Sequence, residues 1–254
     1  MDQPGDSRTR LLDATTALLA DRGFHGTGMK DILGSSRVVA GSLYHHFPGG
    51  KDELAAACVQ RAAQQVADRM DHALREQSLI AAVETFYSAS AEALRTSDFR
   101  TGCPVGTPAA ETVTLTEPLV GAVADAFRDW HAVLTRALRR HGWPEEAAGA
   151  TGSTLLCLFE GALLVSRAQR STAPLEAAGR ASVQLLEAGP PVPGGGASPA
   201  RSGRRRASRP QASLEAGAGV QAAVDGDLRA AHVGGLVGRE EQREVRHVER
   251  HADA

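Results

Sequence analysis

The sequence predicts an all-α protein followed by a tail that cannot build a core. From residue 7 to residue 188, apolar residues recur at helical spacing, with no convincing alternating strand pattern. Prolines stand in the first turn of several of these segments, which is where helices tolerate them best. By contrast, residues 189–254 contain no Phe, Trp or Tyr and are rich in Gly, Pro, Ala and Arg. Such a composition buries too little apolar surface to order the chain, so this tail is expected to be disordered.

Each predicted helix has a start or a stop signal. Leu11 and Leu18 lie seven positions apart on one face of the first helix, and Gly23 ends it. Thr27 is expected to cap the second helix through its hydroxyl. Prolines open the last three helices. The predicted helices cover residues 7–21, 27–34, 39–46, 51–75, 79–96, 116–141, 144–169 and 174–187.

Composition and charge exclude several classes of protein. The 254-residue chain has a formal net charge of −2 and an isoelectric point near 6.5, so any contact with a nucleic acid must be local. No apolar run approaches the ~20 residues of a membrane span, and the first residues lack the apolar core of a signal peptide. A cytoplasmic location is therefore expected. The three cysteines have no metal-like spacing, and neither a metal site nor a cofactor is expected.

The stretch "GSLYHHFPGGKDEL", residues 41–54, excludes two kinds of site and favours a third. His45 and His46 are adjacent, so on a helix they point about 100° apart and cannot chelate one ion. A phosphate-binding loop would need glycine at position 45 and Ser or Thr at position 52, where the chain has His45 and Asp52. What remains is a scaffold helix followed by two short helices and a tight turn. This is a helix-turn-helix, whose second helix enters the major groove of DNA.

The segment "TGMKDILGSSRVVAGSLYHHFPGGKDEL", residues 27–54, resembles the DNA-binding segment of tetracycline-repressor-type (TetR/AcrR) regulators. The shared pattern is a threonine cap, an apolar pair, a turn, "G-[ST]-[LIF]-Y-x-[HY]-F" and a lysine that opens the fourth helix. The loop "GCPVGTPAAE" and the later helices resemble a drug- or flavonoid-responsive subgroup. The resemblance implies a helix-turn-helix domain at 1–50 and a helical ligand-binding and dimerisation domain at 51–188. It does not extend to the tail at 189–254, which is predicted from composition alone.

The resemblance also implies roles for individual residues. Leu43 and Phe47 are expected to face a three-helix core that contains Leu12, Leu19, Phe24 and Ile32. Gly41 is expected to let the recognition helix approach DNA closely. Tyr44 is expected to contact a phosphate, with packing at the rim as the alternative, and Lys51 to meet a phosphate at a helix start. The full set of expected DNA contacts is Thr27, Lys30, Arg37, Val39, Ala40, Gly41, Ser42, Tyr44, His45 and Lys51.

The segment departs from the family pattern at three positions. Arg37 stands where the family has a small residue, often glycine, that adopts positive φ. Forcing a bulky side chain into this backbone conformation costs about 1–3 kcal/mol. Val39 replaces a capping Ser, Thr or Pro, which costs about 1 kcal/mol. Ala40 replaces a basic residue, whose charge Arg37 could supply from nearby; a shifted reading frame through codons 34–40 is the other explanation. For His46, packing at the rim and DNA contact stay equally open.

The helix around "LLCLFEGALLVS", residues 155–166, is apolar on most of its circumference. Such a helix must be covered on all sides, so one face is expected to pack in its own subunit and the other against a partner. The expected dimer contacts are Leu155, Leu158, Ala162, Val165, Val183 and Leu186. The expected ligand contacts are Phe86, Tyr87, Phe127, Trp130, His131 and Phe159, although core packing is an equal alternative for each of them alone.

Three functions remain. The first is a dimeric regulator that binds double-stranded operator DNA, most simply a repressor that a small, mostly apolar effector releases. The second is a helical enzyme, although the sequence shows no nucleophile–base pair and no metal set. The third is a ligand sensor or partner-binding protein that has lost DNA binding, which the three departures keep open.

Overall fold

The protein is built from α-helices throughout the part that the computed structural model describes, residues 4–190, with side chains described from residue 7. This part has no β-strand, which confirms the predicted all-α class. The predicted tail falls outside the described residues from position 191. The elements are α1 (Pro4–Arg22), α2 (Met29–Ser36), α3 (Ala40–His46), α4 (Gly50–Glu76), α5 (Leu79–Thr96), α6 (Gly106–Ala109), a 3-10 turn (Thr112–Thr114), α7 (Glu117–Arg140), α8 (Glu145–Gln169) and α9 (Ala173–Glu187).

The N-terminal helices enclose the core that the sequence predicts. Leu43 is fully buried and Phe47 is 2% exposed, and both belong to one core cluster. Burying a side chain of this size contributes about 1.5–3 kcal/mol. The predicted partners are all buried with them: Leu12, Leu19, Phe24 and Ile32. Leu54 of α4 is also fully buried in this cluster, so α4 is anchored to the three N-terminal helices.

The turn between α2 and α3 carries the strain that the sequence predicts. Arg37 ends α2 in the left-handed region, at φ 54° and ψ 36°. Val39 is the N-cap of α3 and makes no side-chain capping hydrogen bond. Both departures from the family pattern therefore have a structural consequence, and the helix-turn-helix still forms around them because Leu43, Phe47 and Val38 anchor the turn in the core.

The predicted Thr27 cap of α2 is wrong. The helix begins at Met29 with Gly28 as its N-cap, and the Gly28 amide donates to the Asp31 carboxylate at 3.2 Å. Thr27 is fully buried and its hydroxyl donates to the Gly23 carbonyl at 2.7 Å. It therefore closes the preceding loop instead of capping the helix.

The C-terminal helices pack around α4 and α8. Helix α4 runs along α7, α7 along α8, and α9 covers α5 and α8. By length and composition, α8 is apolar enough to cross a membrane, a property that core helices of soluble proteins share. Only 33% of its most apolar window is buried. Within the run 155–166, the exposed positions are 157, 161, 164 and 165, so one side of α8 is uncovered within one chain.

Candidate DNA interface and effector cavity

The second short helix, α3, exposes mostly uncharged side chains to solvent. Val39 is 74% exposed and Tyr44 is 52% exposed, while Ala40, Gly41 and His45 are also exposed. These five residues form what we call the recognition surface. Leu43 lies on the opposite side of α3, in the core. A Cβ at Gly41 would meet nothing within 4 Å, so this position is open toward solvent.

Two residues expected on this surface are held elsewhere. The assignment of Thr27 to DNA contact is wrong, because its side chain is fully buried and bonded to the Gly23 carbonyl. The Ser42 hydroxyl is partly buried and donates to the Ser7 hydroxyl at 3.3 Å. The His46 ring is hydrogen-bonded to the same Ser7 hydroxyl at 2.8 Å, which places His46 in rim packing.

The start of α4 is less free than the sequence suggests. The Lys51 ammonium lies 3.9 Å from the centroid of the Phe24 ring, and burial lowers the pKa of Lys51. The Gly49 amide already donates to the Glu53 carboxylate at 2.7 Å. Lys30 and Arg37, by contrast, are exposed. A phosphate that bound at this helix start would therefore compete with the Phe24 ring for Lys51 and with the Glu53 carboxylate for the Gly49 amide.

A cavity of about 460 Å³ lies among α4, α5, α7, α8 and the loop before α6. Its wall is almost entirely apolar. Four of the six predicted ligand contacts line it, namely Phe86, Tyr87, Trp130 and Phe159. The Phe86 and Phe159 ring centroids are 4.6 Å apart. This size and lining are typical of a site for a drug-sized apolar molecule.

Phe127 and His131, the other two predicted ligand contacts, do not line this cavity. Phe127 packs edge-on against Trp130 with a centroid separation of 5.7 Å. His131 Nε2 donates to the Gly149 carbonyl at 2.9 Å and so ties α7 to α8. Both residues lie on α7 next to Trp130, and the sequence alone could not show which side of α7 faces the cavity.

Sequence reasoning missed two polar residues in the cavity wall, Glu160 and Cys103. Burial raises the pKa of Glu160, and its hydrogen bond with the Cys103 thiol opposes that shift. A Cβ at Gly106 would collide with the Glu160 carboxylate, so the glycine of the "GCPVG" loop makes room for this side chain. Glu160 could have been found from the sequence, because it is the single acidic residue inside the apolar run 155–166.

The loop that forms one wall of the cavity also touches the end of α1. The Arg167 guanidinium on α8 donates to the Asp21 carbonyl at 2.8 Å and to the Arg100 carbonyl at 2.9 Å. It also donates to the Thr107 hydroxyl at 3.3 Å. The Gly102 amide donates to the Ala20 carbonyl at 3.1 Å. We call this set of contacts the junction.

Three further contacts extend the junction, two of them to the loop after α1. The Glu111 carboxylate accepts from the Phe24 amide at 2.6 Å and weakly from the His25 amide at 3.4 Å. Arg100 pairs with Asp21 at 2.7 Å and lowers the pKa of that carboxyl. The N-terminal helices are therefore joined to the cavity wall by direct hydrogen bonds. These bonds offer a path by which a movement of the cavity wall can reach α1.

The uncovered side of α8 is apolar. Leu164 is 63% exposed and Val165 is 42% exposed, and Cys157 and Gly161 lie along the same side. These four residues are defined here as the α8 outer face. Leu158, Ala162 and Val183 are partly buried.

Two of the predicted dimer contacts lie in the core of their own chain, so their assignment to the dimer surface is wrong. Leu155 is 7% exposed and Leu186 is 8% exposed, and both pack with Trp143. Leu155 also lines the cavity.

Two family models match the chain. Residues 11–58 match the bacterial regulatory proteins of the tetR family, and residues 80–181 match the C-terminal domain of LmrA/YxaF-like transcriptional regulators. The first match spans the helix-turn-helix, and the second spans the helices that form most of the cavity wall.

Similar proteins point the same way. The chain is 35% identical over 179 residues to the HTH-type transcriptional regulator LmrA of Bacillus subtilis, covering 67% of this chain and 92% of that one. It is 33% identical over 176 residues to the HTH-type regulator YxaF of the same organism, covering 69% and 92%. A solved structure of a regulatory protein TetR from Rhodobacter sphaeroides superposes with a TM-score of 0.65 at 23% identity, covering 70% and 98%. With the recognition surface and the cavity in place, these matches show that the chain belongs to the TetR family of helix-turn-helix transcriptional regulators.

Proposed function

We propose that this regulator is a cytoplasmic homodimeric repressor that binds double-stranded operator DNA and is released by a small, mostly apolar effector, with no catalytic activity of its own. The observation that carries the proposal is the junction, which joins the wall of an apolar cavity to the end of α1. In this proposal residues 1–50 bind DNA, residues 51–188 bind the effector and the partner, and residues 189–254 form a tail.

Effector control would work through differential affinity. A molecule in the cavity presses on the loop at Thr101–Pro104, which lines the cavity, and the same loop bonds to Ala20 of α1. If the effector fits one position of this loop better than another, it shifts the population of the two arrangements by the difference in its affinity for them. The spacing of the two recognition helices in a dimer then changes, and with it the fit to successive major grooves.

A binding assay with a matched pair of glycine variants tests the DNA-binding role of α3. We expect Gly41→Leu to lower affinity for the DNA upstream of its own gene by about tenfold or more, because each lost base contact costs about 1–3 kcal/mol. A leucine there meets nothing in the protein near its Cβ, so the fold should persist. Gly121→Leu is the control, because Gly121 is also a helical glycine with open space and lies on α7.

The measurement is a gel shift with a thermal melt of each variant. If Gly41→Leu binds the upstream DNA as tightly as the wild type while folded, α3 is not the recognition helix. If even the wild type fails to bind that DNA, the DNA-binding role of the protein is contradicted for that site.

Lys51 gives a second test of the DNA interface. We expect Lys51→Gln to reduce the slope of log affinity against log salt by about 0.9, because one phosphate contact is lost. Arg128→Gln removes a cation from the exposed side of α7 and should leave the slope unchanged. An unchanged slope in a folded Lys51→Gln protein would mean that Lys51 serves only to pack on Phe24, 3.9 Å away.

A second candidate function is a ligand sensor that no longer binds DNA. Arg37 in the left-handed region and the uncapped Val39 favour it, because both weaken the turn that positions α3. In that case the wild type would bind an apolar molecule in the cavity and no upstream DNA, whereas changing Arg37 to glycine and Val39 to serine together would restore DNA binding.

A further inference from the structure

The cavity contains one acidic group that has no charged partner. Of the described residues that line it, the charged ones are Arg69, which is exposed, and Glu160, which is partly buried. Glu160 Oε1 is enclosed and has no hydrogen-bond partner. The remaining polar side-chain groups on the wall are hydroxyls, the Cys103 thiol and the Trp130 indole N–H, which donates to the Ala63 carbonyl at 2.9 Å.

The nearby cation is already used elsewhere. Arg167 lies seven positions after Glu160 on α8, but its guanidinium donates to the Asp21 and Arg100 carbonyls and to the Thr107 hydroxyl. The Cys103 thiol is a weak donor, and burial raises its pKa as well. A buried polar atom without a partner costs about 1–3 kcal/mol, and more if it is charged. The unpartnered Oε1 of Glu160 therefore lowers the stability of the protein when the cavity is empty.

An incoming ligand can remove that cost. An N–H group of a protonated amine forms a charge-assisted hydrogen bond to a carboxylate, which is about twice as strong as a neutral one. The terminal torsion of a glutamate is broad in energy, so the carboxyl can turn toward a ligand in the cavity. The rings of Phe86, Phe159 and Trp130 offer apolar contact to the body of such a ligand and an attractive face to its cationic end.

We propose that the effector of this regulator is an apolar organic amine, whose protonated nitrogen pairs with Glu160 while its body fills the space among Phe86, Phe159 and Trp130. The proposal rests on the proposed function, since it names the chemistry of the effector for the same cavity. It excludes effectors whose recognition is apolar alone and assigns Glu160 as the residue that selects charge.

The test uses two probes of nearly equal shape, naphthylmethylamine and naphthylmethanol, with the full chain in the absence of DNA. Binding is followed by calorimetry. We expect the wild type to bind the amine about tenfold more tightly than the alcohol, as one charge-assisted hydrogen bond allows. In Glu160→Gln this preference should disappear, with affinity for the alcohol unchanged within about twofold.

A control variant separates a local pairing from a general charge effect. Glu92→Gln removes an equal charge from the exposed side of α5, where Glu92 pairs with Arg95, and should keep the preference for the amine. Equal binding of the two probes by the wild type, or a preference that survives in Glu160→Gln, would overturn the proposal. So would failure of both probes to bind. If Glu160→Gln does not fold, the wild-type comparison of the two probes decides alone.

The outcomes also separate this proposal from the proposed function. If naphthylmethanol binds as well as the amine and still releases the wild type from its upstream DNA, the regulator keeps its cavity and its effector response, and only the selection for amines is wrong. If neither probe binds but the gel shift succeeds, the DNA-binding role stands and the amine proposal falls.

Discussion

Val165→Asp should convert the protein from a dimer to a monomer and lower its affinity for operator DNA by about a hundredfold or more. Val165 and Leu164 lie on the α8 outer face, 42% and 63% exposed within one chain. Adjacent small residues, Gly161 and Cys157, let another helix approach closely. A carboxylate buried in such an interface without a partner costs several kcal/mol, which is enough to separate a dimer at micromolar concentration.

The loss of DNA affinity follows from the loss of the dimer. Two recognition helices must reach major grooves about 34–36 Å apart, and one subunit can fill only one half-site. A monomer therefore keeps about half of the base and phosphate contacts. Because binding free energies of the two halves add within a dimer, removing one half costs much more than tenfold in affinity.

Val113→Asp provides the matched control. Val113 lies in the 3-10 turn after α6, is 99% exposed, and is as apolar as Val165, but it is not on the α8 outer face. We expect this variant to stay dimeric and to bind DNA as the wild type does. The measurements are solution mass and a gel shift at the same protein concentration. A dimeric Val165→Asp protein would show that the partner is held by another surface.

The helices were predictable because their signals are local. Proline starts, glycine stops and leucines seven positions apart locate the helices within a few residues, and these signals depend on the backbone of each segment alone. The positive φ of Arg37 was predictable for the same reason, since the family pattern names the position where the turn requires it. The core around Leu43 and Phe47 followed from the family resemblance, and their spacing of four residues on one helix face agrees with it.

The candidate site was only partly predictable because it depends on how helices face each other. Helix α8 is apolar around most of its circumference, so the sequence could not show that Leu155 faces the cavity while Val165 faces outward. Trp130 and His131 are adjacent on α7, yet only Trp130 lines the cavity. The pairing of Arg167 with the Asp21 carbonyl joins residues far apart in the chain, and no local pattern encodes it.

Arg167→Ala should leave the effector cavity able to bind while removing most of its influence on DNA binding. The Arg167 side chain is the part of the junction that reaches from α8 to α1, through the Asp21 carbonyl, and to the loop, through the Arg100 carbonyl and the Thr107 hydroxyl. Without it, these acceptors lose a charged donor. We therefore also expect the free energy of unfolding to fall by about 1–3 kcal/mol.

The matched control is Arg170→Ala, which removes the same side chain three positions later on the same helix end. Arg170 pairs with Asp98 at 2.6 Å, but both side chains are mostly exposed, at 61% and 76%. Exposed ion pairs contribute about 0–1 kcal/mol to stability. The free energy of unfolding of this variant should therefore stay close to the wild-type value, and its DNA binding should still respond to the effector.

The measurement is operator affinity with and without naphthylmethylamine or naphthylmethanol, whichever releases the wild type, together with direct binding of that probe. Coupling between two sites is the ratio of the two operator affinities, and it amounts to about 5- to 150-fold in typical allosteric proteins. In Arg167→Ala this ratio should approach one, while probe binding to the free protein changes little. If the ratio stays at its wild-type value although the free energy of unfolding falls, Arg167 only stabilises the fold. The effector would then act on the N-terminal helices through the Gly102 contact with Ala20 or the Glu111 contact with Phe24.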